Sequence, residues 1–126
     1  MQTLGIAHVR SANPGPDLVE YLQTIDGTLA PFGGRLIVHG GPVERLDGDW
    51  QGNLIIIAFP DRSSARGRHD SAASRAILPL RLANTQDETI FIDNVPEDHR
   101  AREYAAPHSA IPTLGSASLP SMRSRG

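Results

Sequence analysis

Apolar residues along this chain come in short blocks, and the spacing within each block differs. Leu4–Arg10 is a brief apolar run ended by "SANPGP", whose prolines and Asn are turn and helix-start chemistry, so it predicts a first strand. From Asp17 the apolar positions Leu18, Leu22, Ile25 and Leu29 recur every three or four residues, the stripe of a one-sided helix. Asp17 and Glu20 sit in its first turn, where negative charge meets the helix dipole favourably, and Pro31 and Gly33 stop it. Arg35–His39 predicts a second strand. "GGPVERLDGDWQGN" then returns the chain as a loop or hairpin arm, and Leu54–Phe59, "LIIIAF", predicts a third strand.

Asp61 or Ser63 is placed to cap a short helix through "SSARGRH", and Ser71 to cap another through "SAASRAILPLRLAN". Pro79 inside the latter predicts a kink or two abutting pieces. Thr89–Val95, "TIFIDNV", predicts the last strand, closed by Pro96. The order βαββαβ is that of an α+β, ferredoxin-like fold with a four-stranded antiparallel sheet.

A sheet with helices on one face and water on the other should alternate apolar and polar residues. "LIIIAF" does not alternate and "TIFI" barely does. The second face therefore needs a cover that one chain of this size does not supply, and a second copy packed sheet against sheet, a homodimer, is the economical solution. The domain expected is residues 1–96. From Glu97 the chain is rich in Pro and small residues, with no acid after Glu103 and helical periodicity at most over "EDHRAREYAA". Residues 97–126 read as a tail, either mobile alone or laid along the partner subunit through Ile111, Leu114, Leu119 and Met122.

Composition narrows the chemistry more than it identifies it. The 126 residues suit one domain, and 39% apolar with 21% charged residues suits a soluble protein. There is no Cys, which excludes thiolate nucleophiles and Cys-ligated metals. All 12 basic residues are Arg, so no Lys exists for a Schiff base or a P-loop. A net charge of -2, with no basic patch and few aromatics, gives no pull toward nucleic acid or anionic membrane. The N-terminal apolar run is broken by His8 and Arg10, and no stretch reaches the length of a membrane span, so a cytoplasmic location is expected. The 5 histidines show no metal-ligand spacing, so neither a metal nor another cofactor is expected.

With these residues in view, the chain resembles the domain-of-unknown-function family numbered thirteen-thirty, within the dimeric α+β barrel superfamily. The resemblance rests on "IAHVR", "FGGRLIVHGG", "GDW", "LIIIAFPDRSSAR", "DS" and "LPLR" in this order, from about Leu4 to Val95. It implies a ferredoxin-like subunit whose sheet packs on that of its twin, and no established reaction. Relatives across the superfamily include cofactor-independent monooxygenases, polyketide cyclases, isomerases of small lactones and haem enzymes. Two departures stand out: His39 replaces the family's usual Arg, and Arg68, His69 and Ser74 occupy a stretch around "DS" where aromatic residues are usual.

Imidazole is the side chain best suited to exchanging protons near neutral pH. His39 is the first candidate catalytic residue, and regular strand parity puts it on one face with Arg35, which would hold an anionic group. The alternative is a half-exposed strand histidine with a structural hydrogen bond. His8, on the first strand with Leu4 and Ile6 on its face, is either a satisfied core residue or a second catalytic histidine in the same cavity. His69 and Asp70 are further substrate-binding candidates, although Asp70 equally suits a helix start. Arg81 either binds a carboxylate or enolate or pairs with Asp93 or Glu88. Two functions fit: a small-molecule-binding enzyme with isomerase or cyclase chemistry, or a non-catalytic ligand carrier or interaction protein.

Overall fold

The computed structural model describes residues 1–105. The elements in chain order are β1 (Thr3–Ala12), α1 (Pro16–Leu29), β2 (Arg35–His39), β3 (Asn53–Phe59), α2 (Arg62–Asp70), α3 (Ala72–Leu82) and β4 (Thr85–Asp93). They form one antiparallel four-stranded sheet in the order β2-β3-β1-β4, the ferredoxin-like arrangement.

Local chemistry explains the boundaries. Pro16 opens α1, where a missing N–H costs nothing, and Asp17 lies in the first turn. The helix tightens into a single 3-10 turn at Ala30–Phe32 and ends on Gly33 in the left-handed region, φ 69°. Gly34 follows for a different reason. A Cβ there would meet Phe59 Cε1 at 2.7 Å, so only glycine lets β2 start against the core phenyl ring.

Asp61 caps α2, its carboxylate accepting from the Ser64 N–H at 2.7 Å, and Ser71 caps α3, its hydroxyl accepting from the Ser74 N–H at 3.2 Å. The break between the two helices thus falls at Ser71. Pro79 does not divide α3, which continues through it to Leu82. The last strand differs most from expectation. β4 begins at Thr85, four residues before the predicted Thr89, because the polar Thr85–Glu88 pairs with the far half of β1: Glu88 and Asp87 lie opposite His8 and Val9, and Gln86 and Thr85 opposite Ser11 and Ala12 beyond a register shift. It ends at Asp93 rather than Val95.

The core lies between the helices and one face of the sheet. Ile25 and Leu29 of α1, Phe59 of β3, Ala65 of α2 and Ile77 of α3 are buried together, with Leu36, Ile57 and Phe91 packed at their edge. Leu22, on the same stripe as Ile25 and Leu29, is 49% exposed: the stripe is real, but this part of it faces open space rather than core.

Glu44–Trp50 and, among the described residues, Val95–Ala105 belong to a second compact unit. In it Arg45 and Asp49 approach to 3.7 Å, a single 3-10 turn spans Ala101–Ala105, and His99 Nδ1 lies 3.1 Å from Glu103 Oε2. The anchors expected at Ile111, Leu114, Leu119 and Met122 lie outside the described residues. No helix among those described is long and apolar enough to cross a membrane.

Candidate functional site

Strand register decides which side chains meet. Gly5 pairs with both Ile57 and Phe91, Ala7 with Ile55 and Thr89, and Thr3 with Phe59 and Asp93, so these residues share the helix-covered face. Leu4, Ile6, His8, Leu54, Ile56, Ile90 and Ile92 point the other way. On the edge strand β2, Arg35 pairs with Ala58 and Leu36 with Ile57, but Val38 pairs with Ile56 and His39 with Ile55. Ile37 is therefore an extra residue, a β-bulge, and it inverts the parity of everything after it. His39 turns to the helix side with Leu36, whereas Arg35 stays on the outer face. The pairing of Arg35 with His39 expected from regular alternation is corrected: the two lie on opposite faces.

The helix-covered side holds a half-open cavity of about 430 Å³, within the range of small-molecule sites. Apart from His39 and Thr89 its sheet wall is apolar, and Gly5 and Ala7 are the small residues at its centre. His39 stands on this wall. Tyr21, Leu22 and Ile25 come from α1, and Arg66, Arg68, His69 and Arg81 complete the lining from α2 and α3. Among the described residues no Asp or Glu lines it.

Each basic group has its own circumstance. Arg81 Nη1 lies 2.6 Å from Asp87 Oδ2, with side-chain exposures of only 15% and 6%, and the Thr85 hydroxyl lies 2.8 Å from the same carboxylate oxygen. Arg81 is thus neutralised by Asp87, a partner on the early half of β4, rather than by Asp93 or Glu88. Arg66 approaches Asp70 at 4.0 Å on the exposed side of α2, and Asp70 does not line the cavity. The His69 ring meets Phe91 edge-on, centroids 6.1 Å apart, and Phe91 meets Phe59 likewise at 6.5 Å.

Arg68 is different. It is half-buried, its Nε and Nη2 donate to the Thr28 hydroxyl at 3.2 and 2.9 Å, and the Tyr21 hydroxyl is its other partner. Among the described residues no carboxylate forms an ion pair with it. Burial pushes its guanidinium pKa below the ordinary value, partly countered by Tyr21 and reinforced by the nearby charge of Arg81. The sequence reading does not single out Arg68 as a site residue. The signal that identifies it is helical spacing: Ala65 is the buried residue of α2, and positions three and four further on, Arg68 and His69, share its face.

The two candidate histidines are separated by the sheet. His8 lies on the outer face, where its Nε2–H donates to the Gln51 carbonyl at 2.7 Å; a carbonyl only accepts, which fixes that nitrogen as the protonated one. His39 faces the cavity, and its ring makes no hydrogen bond among the described residues. Within the described residues no group of three His, Asp or Glu is arranged to hold a metal ion.

Solved structures share this architecture at low sequence identity. A dimeric ferredoxin-like protein of unknown function from Jannaschia sp. CCS1 superposes with a TM-score of 0.62 at 8% identity, over 75% of this chain and 100% of that one. A dimeric ferredoxin-like protein of unknown function from Thermobifida fusca does so with 0.51 at 12%, over 75% and 92%. The cofactor-independent oxygenase SnoaB from Streptomyces nogalater, in a mutant form, does so with 0.50 at 13%, over 79% and 98%. No curated protein matches in sequence. The likeness therefore establishes the fold, and the sequence carries the kinship: a family model described as Domain of unknown function (DUF1330) matches residues 2–95, and the chain belongs to that family.

Proposed function

We propose that this chain is a homodimeric, cofactor-independent protein that binds a small organic molecule between sheet and helices and moves protons on it through His39. The observation that carries the reading is an imidazole with no hydrogen-bond partner among the described residues, facing a largely apolar cavity whose charged lining among those residues is basic. In such a setting the imidazole takes a proton from a carbon next to a carbonyl, leaving an enolate and an imidazolium. The enolate oxygen lies among basic groups, and the imidazolium returns the proton to the same or a neighbouring carbon. No electrons leave the pair of reactants, so no cofactor is required for this isomerisation. His8, on the other face, takes no part.

The dimer rests on the outer face. Ile90 and Ile92 are 54% and 47% exposed there beside the half-buried Leu4, Ile6, Leu54 and Ile56, an apolar surface of the kind that marks contacts between proteins. Two solved structures of the same fold are dimeric proteins, which supports the same assembly here. Residues 1–96 are the functional domain in this reading, and 97–126 an appended tail.

The test is carbon-bound hydrogen exchange. A panel of small cyclic ketones in deuterated buffer is followed by proton NMR with wild type and His39→Ala. Wild type should incorporate deuterium next to the carbonyl, and the variant should be slower by about a hundredfold, the usual yield of a positioned general base, with its melting temperature within a few degrees. Equal rates for the two proteins would remove the catalytic reading and leave a ligand carrier.

A further inference from the structure

We infer that the cavity takes a compact monocarboxylate with a flat apolar body, its carboxylate held by Arg68; this deepens the proposed ligand-binding role of the cavity and rests on it. Of the three arginines lining the cavity among the described residues, Arg81 is neutralised by Asp87 at 2.6 Å and Arg66 faces Asp70 at 4.0 Å, while Arg68 has only hydroxyl partners among them. A half-buried cation without a counter-ion is costly to keep, and replacing such a group with an apolar one of similar size ordinarily gains stability. The missing partner is a negative charge, and no described residue of the cavity lining supplies it.

Geometry then restricts the ligand. Thr28 Oγ1 receives Nε and Nη2 of Arg68, and that oxygen is itself fixed because its hydroxyl donates to the Ile25 carbonyl at 2.7 Å. Thr28 is 2% exposed, so the anchor is rigid. Thr28 and Tyr21 engage only part of the five-donor guanidinium fork, and the remaining N–H groups match the two oxygens of a carboxylate. One uncompensated positive charge calls for one negative charge, which favours a carboxylate over a phosphate dianion. The rest of the wall, Ile55, Ile57, Phe59 and the edge-on Phe91, suits a planar hydrocarbon and offers it no anionic neighbour.

Phenylacetate and its uncharged isostere phenylacetamide are suitable probes, with phenyl phosphate as the dianion, titrated into the isotopically labelled full chain and followed at the backbone amides of Gly5, Ile57 and Phe91. The expected result is phenylacetate binding at least tenfold more tightly than either of the others, with the preference erased in Arg68→Met, partly kept in Arg68→Lys and unchanged in Arg75→Met. Arg68→Met should also melt at or above the wild-type temperature. Phenylacetamide binding in the cavity as tightly as phenylacetate, or a preference that survives Arg68→Met, would overturn the assignment of the carboxylate while leaving the cavity as a ligand site. Loss of several degrees of melting temperature in both Arg68 variants would overturn it too, making the guanidinium scaffold. If none of the three probes shifts the cavity amides, both this inference and the ligand-binding reading fall.

Discussion

The two faces of this sheet are made by alternate residues of the same strands, yet they serve opposite ends. On the helix side, β1 contributes Thr3, Gly5, Ala7 and Val9, and the two small residues in the middle leave a hollow between the large rings of Phe59 and Phe91 and the helices. On the outer side, the same strand contributes Leu4, Ile6 and His8, joined by Leu54, Ile56, Ile90 and Ile92 in a filled apolar surface. Side-chain size, more than polarity, separates them. An apolar face with small residues at its centre makes room for a ligand; one with large branched residues at its centre makes a surface for another protein.

The two roles come apart most clearly when the outer face is charged at its centre. Ile56→Asp on β3 would bury two carboxylates in a sheet-to-sheet dimer, at a cost of several kcal/mol for each unpaired ion. The dimer dissociation constant should rise at least a thousandfold by analytical ultracentrifugation, while ligand binding on the other face persists in the monomer. A wild-type protein that is monomeric at micromolar concentration would refute the role given to that face.

The inner face should respond to truncation instead. Phe59 is 2% exposed at the centre of the core, and Phe59→Ala should cost about 4 kcal/mol of unfolding free energy, as phenylalanine deletions in packed cores do. That loss, read from urea denaturation, should not depend on protein concentration once the protein is monomeric. A loss below about 1 kcal/mol would mean that the hollow end of the sandwich relaxes around the missing ring.

How much of this is legible in the sequence differs by feature. The order of elements, the capping at Asp61 and Ser71 and the greasiness of both sheet faces follow from periodicity and turn chemistry, because those signals are local. The orientation of His39 does not. "RLIVH" reads as a regular strand, and nothing in it distinguishes Ile37 as the residue left unpaired; the bulge arises from how β2 meets β3. Asp87 is hidden for a related reason. "TQDE" has turn composition, and only its pairing with the end of β1 makes it strand and brings its carboxylate to Arg81. Arg68 is within reach, since its offset from Ala65 fixes its face, but a helix with a single buried alanine has too weak an apolar stripe to set its rotation from sequence alone.

The smallest effect sits at the rim of the inner face, where Thr3 and Asp93 meet. Thr3 is fully buried and donates to Asp93 Oδ1 at 2.7 Å, and Arg62 Nη2 approaches the same oxygen at 3.1 Å. The Thr3 hydroxyl, and after it the Arg62 charge, hold the Asp93 carboxyl below its ordinary 3.8. Lowering a carboxyl pKa on folding means that the unfolded chain binds the proton more readily. The stabilisation is therefore fully present above pH 3.8 and is lost as pH falls through the lower folded value. Asp93→Asn should reduce the urea midpoint slightly at pH 7, and the gap to wild type should narrow progressively below pH 3.8. The exposed Arg10–Glu88 pair, 2.7 Å apart near the outer face, is the comparison, since an ion pair wetted on all sides contributes little at any pH. A gap for Asp93→Asn that stays constant through the acid range would show that the hydroxyl and guanidinium at this rim are spectators.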